Sequence, residues 1–167
     1  MTQIAEIAVR MGEIAVSANR GDMLLSVGLG SCIGLALVDE PRGIAGLAHV
    51  MLPEAIGQRG GPVGRFADVA VPELVARTVA LGTSRPMLRA VLVGGAQMFS
   101  LDATGALDIG ARNEAAVRVA LAAERVPVVA SATGGAQGRT IRVFPGGAVL
   151  SKEAGGAEIE LMSGVRA

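Results

Sequence analysis

Cys32 and His49 are the only cysteine and the only histidine in the 167-residue chain, and both fall within one stretch, Ser26 to Glu54. Two apolar, strand-like runs, Ile33 to Val38 and Ile44 to Met51, flank the turn-forming segment Asp39-Glu40-Pro41-Arg42-Gly43. That pattern reads as a β-hairpin. With Asp39 to Arg42 as the loop, antiparallel register sets Cys32 directly opposite His49, with Cβ atoms about 4.5–5.5 Å apart on one face. A neutral thiol is a poor nucleophile, and an imidazole at that distance can take its proton and later return it to a leaving group. Such a pair does acyl transfer. Gly28 and Gly30 stand just before the cysteine; they let the backbone turn tightly and leave the N–H groups of Ser31 and Cys32 to face a developing oxyanion. A neighbouring imidazolium and those N–H groups are expected to depress the Cys32 pKa. A solitary cysteine is most often a small buried hydrophobe and a solitary histidine a satisfied core residue. The shared register and the glycines set this pair apart.

Gly28-Leu29-Gly30-Ser31-Cys32, followed by Ala48-His49-Val50-Met51-Leu52-Pro53, resembles the signature of the chemoreceptor glutamine deamidase family, CheD. Val93-Gly94-Gly95-Ala96-Gln97-Met98-Phe99, Ile109-Gly110-Ala111-Arg112-Asn113 and Gly134-Gly135-Ala136-Gln137-Gly138-Arg139 follow in that family's order, so the resemblance covers most of the chain. It implies a Cys–His–Thr triad that hydrolyses the side-chain amides of receptor glutamines, with Cys32 as nucleophile and His49 as base. The family's threonine lies six residues before the cysteine, where this chain has Ser26; a serine hydroxyl can make the same hydrogen bond to the imidazole but lacks the methyl that fixes its rotamer. The implied partners are the cytoplasmic helices of methyl-accepting chemoreceptors and a CheC-type phosphatase. Two other functions stay open, a glutamyl methylesterase using the same thioester and a non-catalytic binding module that merely retains Cys32.

The elements that must position the pair are expected in this order. Ile4 to Arg10 and Glu13 to Ala18 form an opening hairpin about Met11-Gly12, and Met23 to Val27 form a third strand leading into the glycine turn. Gly57 to Gly64 has the composition of a loop, close enough in sequence to the site to serve as a substrate-gripping lip. Asp68 to Leu81 has helical spacing, with Pro72 in its first turn and Gly82 as its stop. Leu88 to Val93 is a buried strand entering Gly94-Gly95. No Gly-Lys-Ser/Thr and no full dinucleotide fingerprint follow, so those glycines serve close backbone packing. Asn113 caps a helix running to about Glu124, whose polar stripe holds an i,i+4 pair, Glu114 and Arg118. Val126 to Ala130, Thr140 to Phe144 and Ala148 to Leu150 close the fold. The expected whole is one α+β domain over 1–162, a layered sandwich of mainly antiparallel β-sheets with helices packed outside, and a frayed tail over 163–167.

Composition narrows the classes. Fifteen basic residues balance fifteen acidic ones, which argues against a nucleic-acid footprint or an anionic-membrane surface and for a protein partner. No internal disulfide can form from a single cysteine, and no secretory signal or bilayer-length apolar run is present. A cytoplasmic protein is expected. One histidine, one cysteine and scattered carboxylates make no ligand cluster, so neither metal nor cofactor is expected. Three Phe and no Tyr or Trp point to a core of small residues packed in close layers.

Overall fold

The structure, a computed structural model, describes residues 3–58, 60–98 and 108–166. Arg59 of the glycine-rich loop, Phe99 of the Gly94-Gly95 motif and Ala167 of the tail lie outside the described residues. Among the described residues, ten strands form two five-stranded sheets. The first holds β1 (Ala5–Ala8), β3 (Asp22–Leu29), β8 (Arg139–Val143), β9 (Val149–Glu153) and β10 (Glu158–Met162); the second holds β2 (Ile14–Ser17), β5 (Ile44–Val50), β4 (Ile33–Asp39), β6 (Arg89–Gly94) and β7 (Val128–Thr133), each in that spatial order. Among the strand pairs of the described residues, β1–β3 and β6–β7 are parallel and the others antiparallel. The expected layered α+β sandwich of mainly antiparallel sheets is what forms. Both helices, α1 (Ala67–Ala80) and α2 (Ile109–Ala123), pack on the outer face of the second sheet. None of the described helices is long and apolar enough to cross a membrane.

Alternation along β4 and β5 explains the layers. Ile33, Leu35, Leu37, Ala48 and Val50 point to the helices, where they meet Val71, Leu74, Val117 and Leu121. Ala36, Val38, Ala45 and Leu47 point the other way and meet Leu24, Leu29, Ile141 and Val143 of the first sheet. Both strands are buried along their whole length, which is why their sequence is nearly continuous in apolar and small residues.

Several expectations are corrected. The opening strands form, but not as a hairpin: β1 pairs with β3 in the first sheet and β2 with β5 in the second, so the chain crosses between layers through residues 9–13. Helix α2 begins before Asn113, with Asp108 as its N-cap accepting a hydrogen bond from the Ala111 N–H at 2.9 Å. Asn113 is fully buried inside it. The Glu114–Arg118 pair is formed, at 2.9 Å. In α1, Pro72 lies past the first turn. Strand β10 was not anticipated, and the tail expected to fray is bridged at Val165, whose N–H donates to the Gly146 carbonyl.

The Gly94-Gly95 segment does serve close packing. A Cβ at Gly94, where φ is +113°, would overlap the Cys32 carbonyl oxygen, and a Cβ at Gly95 would lie 3.0 Å from the Gly110 carbonyl oxygen. We therefore expect Gly94→Ala to destabilise by about 2–4 kcal/mol, from strain and overlap together. At Gly28, φ is +66° with nothing within 4 Å of a would-be Cβ, and Gly28→Ala should cost only about 1 kcal/mol. Urea titrations of the two variants check the difference; equal costs would contradict it.

Candidate active site

The hairpin forms with a register different from the expected one. Asp39 pairs with Ile44, so the turn is Glu40 to Gly43 and His49 faces Gly34, two residues along from Cys32. The reason is local. Asp39 is wholly buried, and its carboxylate accepts the Thr83 hydroxyl at 2.5 Å and the Arg42 N–H at 3.3 Å. Asp39 is thus the last strand residue instead of the first loop residue. A two-residue shift preserves the face. Cys32, just before β4, keeps the side of Gly34 and Ala36 and packs half-buried against the inter-sheet core, the side to which His49 also points. The two are therefore diagonal neighbours on one face instead of directly opposed.

His49 is held from three directions by the chain that crosses between the sheets. Its backbone carbonyl accepts the Gly12 N–H at 2.9 Å, its N–H donates to the Glu13 carbonyl at 3.0 Å, and its Nδ1 lies 3.1 Å from the Val9 carbonyl oxygen. A carbonyl oxygen only accepts, so this bond requires the proton on Nδ1. In the neutral ring, Nε2 is then the bare, basic nitrogen.

Ser26 was expected to bond the imidazole. Its hydroxyl instead donates to the same Val9 oxygen, at 2.7 Å. Serine and imidazole are thus joined through a shared acceptor, because β3 and β5 belong to different sheets and the Val9 carbonyl lies between them. Val9 itself is fixed by its own N–H, which donates to Leu25 at 2.7 Å. Sequence reasoning missed Val9, and no side-chain signal could have found a contribution made by a carbonyl.

The glycine turn before the cysteine is pinned through its carbonyls. Gly30 accepts the Ala96 N–H at 2.8 Å, Ser31 accepts the Asn113 Nδ2 at 2.9 Å, and Cys32 accepts the Gly95 N–H at 2.9 Å. Asn113 Nδ2 also donates to the Met51 carbonyl at 2.9 Å. Among the described residues the N–H groups of Ser31 and Cys32 have no acceptor, as an oxyanion site needs. A concavity of about 550 Å³ lies elsewhere, between α1 and α2, and is lined by Pro53, Pro72, Arg112, Ala116 and Val119. A smaller hollow, about 160 Å³, is lined by Gly28, Gly138 and Arg139, with Gly28 in the turn before the cysteine.

The electrostatics correct the expected ion pair. Burial pushes the Cys32 thiol above its ordinary range. The same burial lowers the His49 imidazole, against smaller raising effects from the Val9 hydrogen bond and the Glu13 charge. Both shifts favour the uncharged forms, because the buried imidazole and the half-buried thiol lose hydration and neither cation nor anion forms first to stabilise the other. The resting pair is thiol and neutral imidazole.

A stability profile follows with both signs fixed. Unfolded histidine takes up a proton near pH 6.5 while folded His49 resists it, so stability falls as pH drops below about 6.5. Unfolded cysteine ionises first as pH rises, so stability also falls above the ordinary thiol range. His49→Gln should flatten the acid limb and Cys32→Ala the alkaline limb of the urea midpoint plotted against pH. Limbs that survive the substitutions would contradict the neutral pair, as would alkylation of Cys32 that reaches its plateau near neutral pH.

Comparison with known proteins gives a consistent set of relatives. A family model described as CheD chemotactic sensory transduction matches residues 51–153, beginning two residues after His49. A Geobacillus kaustophilus protein named probable chemoreceptor glutamine deamidase CheD is 40% identical over 162 residues, 95% of this chain and 96% of its own. The like-named Symbiobacterium thermophilum protein is 44% identical over 158 residues, 92% of this chain and 96% of its own. A crystal structure of a Neisseria meningitidis protein of family-model DUF152 superposes with a TM-score of 0.46 and 11% identity, over 79% of this chain and 63% of that one. The family-model match spans more than half of the sequence, and these two relatives align along nearly all of it; the chain belongs to the CheD family.

Proposed function

We propose that this protein is a chemoreceptor glutamine deamidase in which Cys32 is the nucleophile, His49 the general base and acid, and Ser26 a positioning residue. The observation that carries the reading is the Nδ1 bond to the Val9 carbonyl. It leaves Nε2 as the basic nitrogen on the face that Cys32 shares. The names of the relatives supply the substrate class, a receptor glutamine.

The chemistry balances as follows. His49 Nε2 takes the thiol proton as sulfur attacks the carboxamide carbon, forming the C–S bond and moving the carbonyl π electrons onto oxygen. The Ser31 and Cys32 N–H groups face that oxyanion. Collapse breaks the C–N bond, and the proton on His49 goes to the departing nitrogen, which leaves as ammonia. Water then gives a proton to His49 and its hydroxide to the thioester carbon; collapse breaks the C–S bond, His49 returns its proton to the departing sulfur, and the new carboxylic acid ionises to glutamate. A neutral resting pair suits this cycle, since charge is created only when substrate excludes water.

A receptor glutamine sits on an exposed helix in the cytoplasm, so the protein must hold a helical face near Cys32. The glycine-rich loop is placed to help. Pro62 and Gly64 rest on Gly12, whose N–H donates to the His49 backbone carbonyl, which brings the loop to the strand that carries His49. A CheC-type phosphatase presenting a helix of its own would compete for the same face.

The direct test is incubation of the purified protein with a receptor cytoplasmic fragment, followed by peptide mass spectrometry and ammonia release. Glutamine-to-glutamate conversion is expected, lowered at least about 10³-fold in Cys32→Ala and His49→Ala. Loss of methyl esters without loss of amides would make the protein an esterase, and binding without either reaction a recognition module. Ser26→Ala leaves the Val9 carbonyl to His49 alone and should lower kcat by roughly tenfold, while Ser26→Thr keeps the donor and most of the rate. An unchanged rate in Ser26→Ala would remove Ser26 from the site.

A further inference from the structure

We infer that Asn113, on α2, is a positioning residue that orients the Cys32 N–H as an oxyanion donor. The inference rests on the acyl-transfer reading of Cys32 and His49. In a trans peptide the C=O and the following N–H point in opposite directions. Whatever grips the Ser31 carbonyl therefore aims the Cys32 N–H, and the grip on the Gly30 carbonyl likewise aims the Ser31 N–H. The Gly30 grip is a backbone one, from Ala96. The Ser31 grip is the Asn113 side chain, at 2.9 Å.

Three further observations make Asn113 more than a core residue. It lies on the buried stripe of α2 with Val117 and Leu121, where an apolar side chain would be the cheaper choice. Its Nδ2 donates both to Ser31, one residue before the nucleophile, and to Met51, two residues after the base, so one amide group fixes the spacing of the two chain segments that carry the chemistry. Its Oδ1 is buried and has no hydrogen-bond partner among the described residues. Since both neighbours are carbonyls, the amide cannot be turned round without setting acceptor against acceptor. The donor end alone is used. Gly110 lies close against the Gly95 backbone and lets α2 approach.

The test separates a reaction that makes an oxyanion from one that does not. Acylation by p-nitrophenyl acetate proceeds by sulfur attack on the ester carbon, with negative charge on the carbonyl oxygen before p-nitrophenolate leaves. Alkylation by iodoacetamide is a displacement of iodide by sulfur, with no oxyanion. Asn113→Ala and Asn113→Asp both remove the donor, and in each the ratio of acylation to alkylation rate constants at Cys32 should fall at least about tenfold, with iodoacetamide reactivity within about twofold of the wild type. On the receptor fragment, kcat should fall and KM should stay. An unchanged ratio overturns the inference, and so does a parallel fall of both rates, which would make Asn113 a purely structural residue. A wild-type protein that alkylates but shows no Cys32-dependent p-nitrophenolate burst defeats the acyl-transfer reading itself. If neither variant folds by circular dichroism, isotope-labelled wild type decides: a scalar coupling across the hydrogen bond from Asn113 Nδ2 to the Ser31 carbonyl carbon is expected. The Cys32 amide proton should also move downfield when a peptide aldehyde forms a hemithioacetal on the thiol. Absence of either overturns the inference.

Discussion

A single backbone oxygen, the Val9 carbonyl, is the point on which the site turns. It accepts the Ser26 hydroxyl from one sheet and the His49 imidazole from the other. The same crossing segment then binds the His49 backbone on both sides through Gly12 and Glu13. An isolated hairpin would leave the imidazole free to rotate and to exchange tautomers. Here the crossing segment dictates ring orientation and proton position together, and it does so from a main-chain group that has neither a side-chain rotamer nor a titrating proton.

The abundance of glycine and alanine is a requirement of that arrangement. Close approach of α2 to the end of β6 is a backbone-on-backbone contact between Gly110 and Gly95, and Gly46 lets Leu74 and Thr78 of α1 settle on β5. Larger side chains would hold the helices away and carry the Asn113 amide out of reach of Ser31 and Met51. The buried Oδ1 left without a partner among the described residues costs about 1–3 kcal/mol, a loss set against the two hydrogen bonds that the Nδ2 of the same amide donates.

How much could be read in advance differs from residue to residue. The hairpin and the face shared by Cys32 and His49 were legible, because alternation survives an error of two residues. The register itself was not, since Asp39 looks like a turn residue and nothing nearby announces that Thr83 will bury its carboxylate. The first two strands were located correctly and paired wrongly: periodicity identifies a strand but not its partner. The contact that Ser26 makes was not legible, since its hydrogen bond runs to an oxygen that every residue carries. Asn113 did leave a trace, a polar residue on the Asn113–Val117–Leu121 stripe of an otherwise apolar helix face. Strand β10 also left one, in the alternation of Glu158 to Met162.

The crossing of the chain at Val9 has a temporal consequence. Thiol and imidazole are both present once His49 has been synthesised, but the donor that ties Met51 to Ser31 comes from a residue 62 positions beyond Met51, and the Ser26 strand is completed in its sheet only when β8 is made. A nascent or half-assembled chain therefore holds both side chains without the contacts that fix their surroundings. The contacts that hold Ser31, Met51 and the Ser26 strand in place therefore arrive with the last layers and not before.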